Sequence, residues 1–137
     1  MYDLIKEQEG FRRHAYKCAA GVWTIGYGTT VYPDGTKVKQ GDSISIEKAE
    51  EYLVHYCETQ IQLPKGDFND NQKEALCSLI YNIGQSAFNR SSVKKAIEEG
   101  RTQDIEKHWK AWNKAGGRIL AGLVERRNKE YKLFDNS

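Results

Sequence analysis

The sequence predicts an α+β fold: a small N-terminal β-sheet lobe, then a helical C-terminal lobe, joined by a long interlobe helix. Three observations predict it. Residues 15–39 contain β-branched and aromatic runs broken by glycine turns. From Gly41 onward apolar residues recur at helical spacing, and Gly and Pro divide that second part into helix-length segments. With 137 residues, 39% of them hydrophobic, and a mean hydropathy of −0.75, the chain fits one domain over residues 1–137.

The elements follow in order. Leu4, Ile5 and Phe11 give residues 3–10 the spacing of a short helix that Gly10 stops, which puts Glu9 at its C-terminal end. Residues 15–18 and 22–27 read as a hairpin around Ala19-Ala20-Gly21, and Pro33-Asp34-Gly35 marks a second tight turn. The N-terminal helix and sheet lobe thus cover about residues 1–44. Ser45 is placed to N-cap the interlobe helix, about residues 45–63, whose stripe is Ala49, Tyr52, Leu53, Tyr56 and Cys57 and which Pro64 breaks. The helical lobe, about residues 64–137, opens with a capping box from Asn69 and Gln72 on a helix running to Ile83. Further helices are expected from Ser91 to Gly100, from Thr102 to Lys114 and, after Gly116-Gly117, from Gly122 to Phe134.

Composition removes several classes of function. Basic and acidic residues nearly cancel, 21 against 19, unlike a charged disordered tail. The charge is uneven along the chain: residues before Ala87 hold 9 basic and 12 acidic side chains, and those from it onward hold 12 and 7. That basic second part suits an anionic polymer or simply solvated helices, and no nucleic-acid motif accompanies it. No apolar run approaches the roughly 18 residues that span a bilayer, and Met1 leads into the polar segment Tyr2 to Glu9, so no export signal or membrane segment is expected. Cys18, Cys57 and Cys77 are odd in number and match no metal spacing, and His14, His55 and His108 share none either. No metal and no cofactor are expected.

The hairpin concentrates the chemistry. If its loop is residues 19–21, Cys18 lies opposite Val22, and Thr24 projects from the same face, diagonal to Cys18 at about 7 to 8 Å. Trp23, Ile25 and Tyr27 point the other way into a small core, and Gly26 and Gly28 are expected to leave the Thr24 face open to an approaching ligand. The negative end of a helix disfavours an ionised carboxylate by about 0.3 to 1 kcal/mol, so Glu9 occupies a place that favours the acid form. A protonated carboxyl is what glycoside cleavage uses on its leaving oxygen.

These residues resemble a known pattern. Glu9-Gly10-Phe11, then Cys18, then Thr24-Ile25-Gly26-Tyr27-Gly28, resembles the catalytic segment of the phage-type lysozymes, the endolysin family. Ser45 to Glu50 resembles the start of their interlobe helix. Tyr81-Asn82-Ile83-Gly84 with Phe88 and Ser91 resembles a second signature, and Trp112 to Gly117 with Gly122-Leu123 and Arg126-Arg127 resembles the end of the smaller members. The resemblance covers essentially the whole chain in order.

It implies a lysozyme-like fold and a muramidase that cuts the β-1,4 bond between N-acetylmuramic acid and N-acetylglucosamine of bacterial peptidoglycan, the glycan lying between lobes. It puts Glu9 on the general acid and Thr24 on a residue that helps hold the attacking water. Cys18 falls where many members have Asp, the carboxylate that activates that water, and this is the main departure from the pattern; some relatives have Cys there. An unperturbed thiol, of pKa about 8.5, is only a few per cent ionised at pH 7 and is a weaker base unless its pKa is lowered. Thr30, Tyr81 and Ser91 fall on glycan-binding positions, with Asn82 as a neighbour that shapes the site. Arg126 and Arg127 have two readings, a pairing with Glu9 or an ion-pair network among helices. Implied further are a monomer made in the host cytoplasm that acts on the periplasmic wall, released by a holin or by an N-terminal signal or anchor absent from this chain.

Two readings compete with hydrolysis. A lytic transglycosylase needs one acid/base and no water activator, which suits the missing Asp at 18, whereas the Cys18–Thr24 pair speaks for hydrolysis. The other is a non-catalytic glycan-binding module. Cys57 and Cys77, on apolar helix faces, read as packing residues, as do Trp109 and Trp112.

Overall fold

In the computed structural model, which describes residues 1–135, Tyr2 to Gln60 form one unit and residues from Ile61 form another. Asn136 and Ser137, the end of the expected helical lobe, lie outside the described residues.

In the first unit, α1 spans Asp3–Glu9 and ends where expected, with the Gly10 N–H donating to the Lys6 carbonyl. Strands β1 (Arg12–Lys17) and β2 (Trp23–Gly26) pair antiparallel, Lys17 opposite Trp23 and Tyr16 opposite Thr24. The strand begins at Arg12, earlier than expected, because an irregularity between Arg12 and Tyr16 brings Arg12 opposite Gly26 and bends the strand. The rest of residues 15–39 is held by single bridges, Ile25 with Thr29 and Val31 with Lys37, the second closing the Pro33-Asp34-Gly35 turn. Helix α2 (Ile46–Thr59) is capped by the Ser45 hydroxyl, which accepts from the Lys48 N–H, and it buries Ala49, Leu53 and Cys57. Ile5, Ile25 and Tyr27 are buried in this unit as well. Lys6 of α1 and Glu50 of α2 form an ion pair at 3.2 Å.

Helix α2 ends at Thr59 rather than near Leu63. The following residue pair explains why. The Gln85 carboxamide accepts from the Gln62 N–H at 2.8 Å and donates to the Gln62 carbonyl at 3.0 Å, so both backbone groups are satisfied outside a helix. Pro64 also disfavours helical geometry at Leu63.

The second unit is built on α3 (Asp70–Ile83), which starts with the capping box of Asn69 and Gln72. Leu76, Leu79, Phe88, Val93 and Trp109 make a core with no exposure to solvent, against which Trp112 packs. Around it lie α4 (Gln85–Asn89), a short helix that the sequence reading lacked, α5 (Ser92–Glu98), α6 (Thr102–Lys110) and α7 (Ala121–Asp135). Helix α6 stops at Lys110, short of the expected Lys114, because Lys114-Ala115 (β3) and Arg118-Ile119 (β4) form a hairpin. Its two-residue turn, Gly116-Gly117, has φ of 59° and 79°, a left-handed pair that glycine adopts without strain.

Helices α3 and α7 also share a buried polar cluster. Glu130, fully buried, accepts hydrogen bonds from the Ser78 hydroxyl, Trp109 Nε1 and Arg126 Nε, and forms an ion pair with Arg127 Nε at 2.9 Å. Arg126 and Arg127 are likewise buried. Their network reading therefore has its partners in Glu130, Ser78 and Asn82.

Candidate active site

Glu9 is the last residue of α1 and is half-buried. Two residues of linker later the chain enters β1, which leads to the loop that bears Cys18. The expected register of the hairpin is present: the Cys18 N–H donates to the Val22 carbonyl at 3.0 Å, and the Gly21 N–H to the Cys18 carbonyl at 2.8 Å. With Tyr16 opposite Thr24, Cys18 and Thr24 share a face, and the Thr24 hydroxyl interacts with the thiol. Glu9, Cys18 and Thr24 all belong to the first unit.

One expectation needs correction. Gly26 and Gly28 do not keep the Thr24 face open: Thr24 is 4% exposed, and Gly26 is buried with φ of 64°. A Cβ at Gly26 would lie 3.0 Å from the Cβ of Ala49, so what approaches the strand there is helix α2. The face opens only toward the loop, where Cys18 is half-buried and Val22 is 46% exposed.

The loop changes the chemistry of Cys18. Backbone N–H groups of Val22, first, and Ala20 point at its sulfur and, with the Thr24 hydroxyl, hold the thiol below its ordinary pKa, against a smaller opposing effect of desolvation. Hydrogen bonds to a charged form favour that form. Thr24 has one hydroxyl proton and two acceptors within reach, the Cys18 sulfur and the Val22 carbonyl at 3.0 Å. When the sulfur is ionised that proton can turn to it; when it is a thiol the hydroxyl keeps the carbonyl.

Of the remaining expected site residues, Thr30 belongs to the first unit and Tyr81, Asn82 and Ser91 to the second. Thr30 is exposed, and its carbonyl accepts from the Val38 N–H. Tyr81 and Asn82 lie in the last turn of α3, Tyr81 half-buried and Asn82 exposed. Ser91 is 5% exposed and committed to its helix: its hydroxyl donates to the Phe88 carbonyl at 2.6 Å and accepts from the Lys94 N–H at 3.1 Å. That N-cap accounts for serine here without a ligand. The contact of Arg127 with Asn82, Nη2 donating to Oδ1 at 2.6 Å, and the donors of Ala20 and Val22 escaped the sequence reading. A signal for the latter was the tight 19–21 loop, which turns N–H groups inward; nothing in the sequence signalled the former.

A separate surface cavity of about 540 Å³ in the first unit is lined by Tyr32, Asp34, Ser45, Lys48, Glu51 and Tyr52 among others. Several of its polar groups have partners within the unit. Tyr32 donates to Asp42 at 2.7 Å, Asp34 accepts from Thr36, Ser45 caps α2, and Lys48 pairs with Glu51. Among the described residues no group of three His, Cys, Asp or Glu side chains is arranged to hold a metal ion, and no helix is long and apolar enough to cross a membrane.

Comparison with known proteins now bears on this geometry. The model of the phage lysozyme family matches residues 6–130, a span that includes Glu9, the hairpin and the polar cluster on α7. The chain belongs to the phage lysozyme family. This phage lysozyme is similar to an endolysin of Acyrthosiphon pisum secondary endosymbiont phage 1, with 38% identity over 98% of this chain and 94% of that protein. Its structure is similar to that of an endolysin from Escherichia coli O157:H7 phage FAHEc1, with a TM-score of 0.84 and 34% identity over 98% of this chain and 90% of the other. It is similar too to the muramidase domain of SpmX from Asticaccaulis excentricus, with a TM-score of 0.82 and 30% identity over 99% and 95% of the two chains. The lysozyme-like α+β fold expected from the sequence is the fold of this family.

Proposed function

We propose that this phage lysozyme is an endolysin that degrades peptidoglycan by hydrolysing the β-1,4 bond between N-acetylmuramic acid and N-acetylglucosamine. It acts on the bacterial cell wall as a monomer after synthesis in the host cytoplasm. The single observation that supports hydrolysis best is the Cys18 sulfur, with N–H groups of Val22 and Ala20 and the Thr24 hydroxyl turned toward it, in a hairpin that the family match includes. A polarised thiol is wasted in a transglycosylase, which activates no water, and in a binding module.

The reaction then divides between two groups. Cys18, as thiolate, takes a proton from water, and the oxygen of that water bonds to the anomeric carbon of the muramic acid. Glu9, as the acid, gives its proton to the glycosidic oxygen as the carbon–oxygen bond breaks, so one product gains a reducing end and the other a hydroxyl. Thr24 steadies the thiolate and the incoming water. Thr30, Tyr81, Asn82 and Ser91 are proposed on the glycan side, with Ser91 acting through the shape of the α5 N-terminus since its hydroxyl is engaged. Afterwards Cys18 is a thiol and Glu9 a carboxylate, and exchange with solvent restores both.

A turbidity assay tests the activity. Added to outer-membrane-permeabilised Gram-negative cells, the purified protein is expected to clear the suspension at a rate proportional to its concentration. Binding to the walls without clearing would make it a binding module.

A further inference from the structure

Helix α2 carries two tyrosines that its buried face leaves out. Ala49, Leu53 and Cys57 make that face, whereas Tyr56, on the stripe read as apolar, is 45% exposed and Tyr52 is half-buried. Tyr52 and Tyr56 are one turn apart, so they follow one another along one side of the helix with a rise of about 6 Å between them. Tyr52 also lines the cavity of about 540 Å³, together with Tyr32, Asp34, Ser43, Lys48 and Glu51. That volume is in the range of small-ligand sites. Its aromatic wall is fixed: Tyr32 and Tyr52 meet edge to face with centroids 5.6 Å apart, and the Tyr32 hydroxyl is tied to Asp42.

The cavity keeps both donors and acceptors unengaged. The Thr36 N–H and hydroxyl both donate to Oδ1 of Asp34, and Lys48 pairs with Oε2 of Glu51, so each carboxylate has a second oxygen able to accept. The hydroxyls of Ser43 and Tyr52 have no hydrogen-bond partner among the described residues. One cation, Lys48, stands against two carboxylates in the lining, which disfavours an anionic ligand. A cationic ligand would leave the two hydroxyl donors idle. The hydroxyls of a neutral sugar both donate and accept, and its CH faces suit tyrosine rings.

We infer that this cavity and the adjoining Tyr56 form a second, non-catalytic site for a neutral glycan strand. It belongs to the same unit as Glu9, and Glu9, Cys18 and Thr24 are not among the residues that line it. Its role is to keep the enzyme on the wall between cuts. The choice of glycan as ligand rests on the glycan-cleaving reading; the site is additional to it.

Tri-N-acetylchitotriose, a neutral β-1,4-linked amino sugar, is the probe. Titrated into ¹⁵N-labelled protein, it is expected to shift the amide signals of residues 32–34, 43–45 and 48–56 along one saturating curve. In Tyr52→Ala these shifts are expected to vanish, while any at the Cys18 hairpin stay. Because Tyr52 packs on Tyr32, the second variant is Tyr56→Ala, at an exposed helix position, and it is expected to weaken the same curve about fivefold. On insoluble peptidoglycan both variants are expected to raise KM about fivefold with kcat within about twofold, and on short soluble glycan strands to match wild type. Absence of shifts at these residues in wild type, or an unchanged KM of both variants on insoluble peptidoglycan, overturns the inference. Shifts there with trilysine and none with the sugar overturn it as well, and assign a cationic peptide instead. A wild type that binds the sugar at these residues but cuts no peptidoglycan upholds the site and overturns the glycan-cleaving reading alone.

Discussion

Glu9→Gln is expected to abolish lysis. The glutamine has the same shape but no proton of suitable acidity to give to the leaving oxygen, and loss of a general acid costs about 10²- to 10⁴-fold in rate. Glu9 sits at the end of a short helix with its side chain half-buried, and the backbone there is fixed by the Gly10 N–H on the Lys6 carbonyl, so the exchange leaves the fold intact. Circular dichroism and thermal melting of the variant are expected to match wild type while clearing of permeabilised cells falls to background. Retained clearing would remove Glu9 from the mechanism.

Replacement of Cys18 separates base from spectator. Cys18→Ala is expected to reduce kcat/KM by about 10²-fold, and Cys18→Asp to preserve or raise it, since a carboxylate is a fully ionised base at neutral pH. The pH profile makes the distinction sharper. The thiol pKa is lowered by the Val22 and Ala20 N–H groups and the Thr24 hydroxyl, so the active thiolate is present above that pKa and is lost as pH falls through it. Loss of the thiolate on acidification is therefore expected to shape the pH dependence of kcat/KM in wild type. In Cys18→Asp that dependence is expected to move to lower pH, toward an ordinary carboxylate. A thiol-blocking reagent is expected to inactivate the wild type, whose Cys18 is accessible, and to spare Cys18→Asp, in which the buried Cys57 and Cys77 remain. Identical pH profiles for wild type and Cys18→Asp would make Cys18 a bystander.

Much of the fold is legible in the residues because local signals agree with it. Ser45, Asn69 with Gln72, and Ser91 each start a helix where their side chains accept the expected N–H, and Gly10 and Gly84 stop helices where expected. The hairpin register follows from the 19–21 loop, and with it the pairing of Cys18 with Thr24. Two of the three misreadings, those of the α2 end and of Gly26, have long-range causes. Helix α2 stops early because Gln85, distant in sequence, satisfies the backbone of Gln62. Helix α6 was extended into residues whose glycine pair makes a hairpin turn, a signal present in the sequence but read as a mere helix break. Gly26 was assigned to ligand access, whereas Ala49 of α2 requires it. The donor cage around the Cys18 sulfur is a property of loop geometry, and the hold of Arg127 on Asn82 joins residues on two helices, so neither was visible before the chain was folded.

Hydrolysis by activated water is the central claim, and the ends of the cleaved glycan test it most directly. Mass spectrometry of purified peptidoglycan digested to completion is expected to find muramic acid at reducing ends, with the mass of one added water per cut and ¹⁸O incorporated there when the digestion is run in H₂¹⁸O. Muramic acid ends in the 1,6-anhydro form, lighter by that water and free of label, would contradict the account and make the enzyme a transglycosylase.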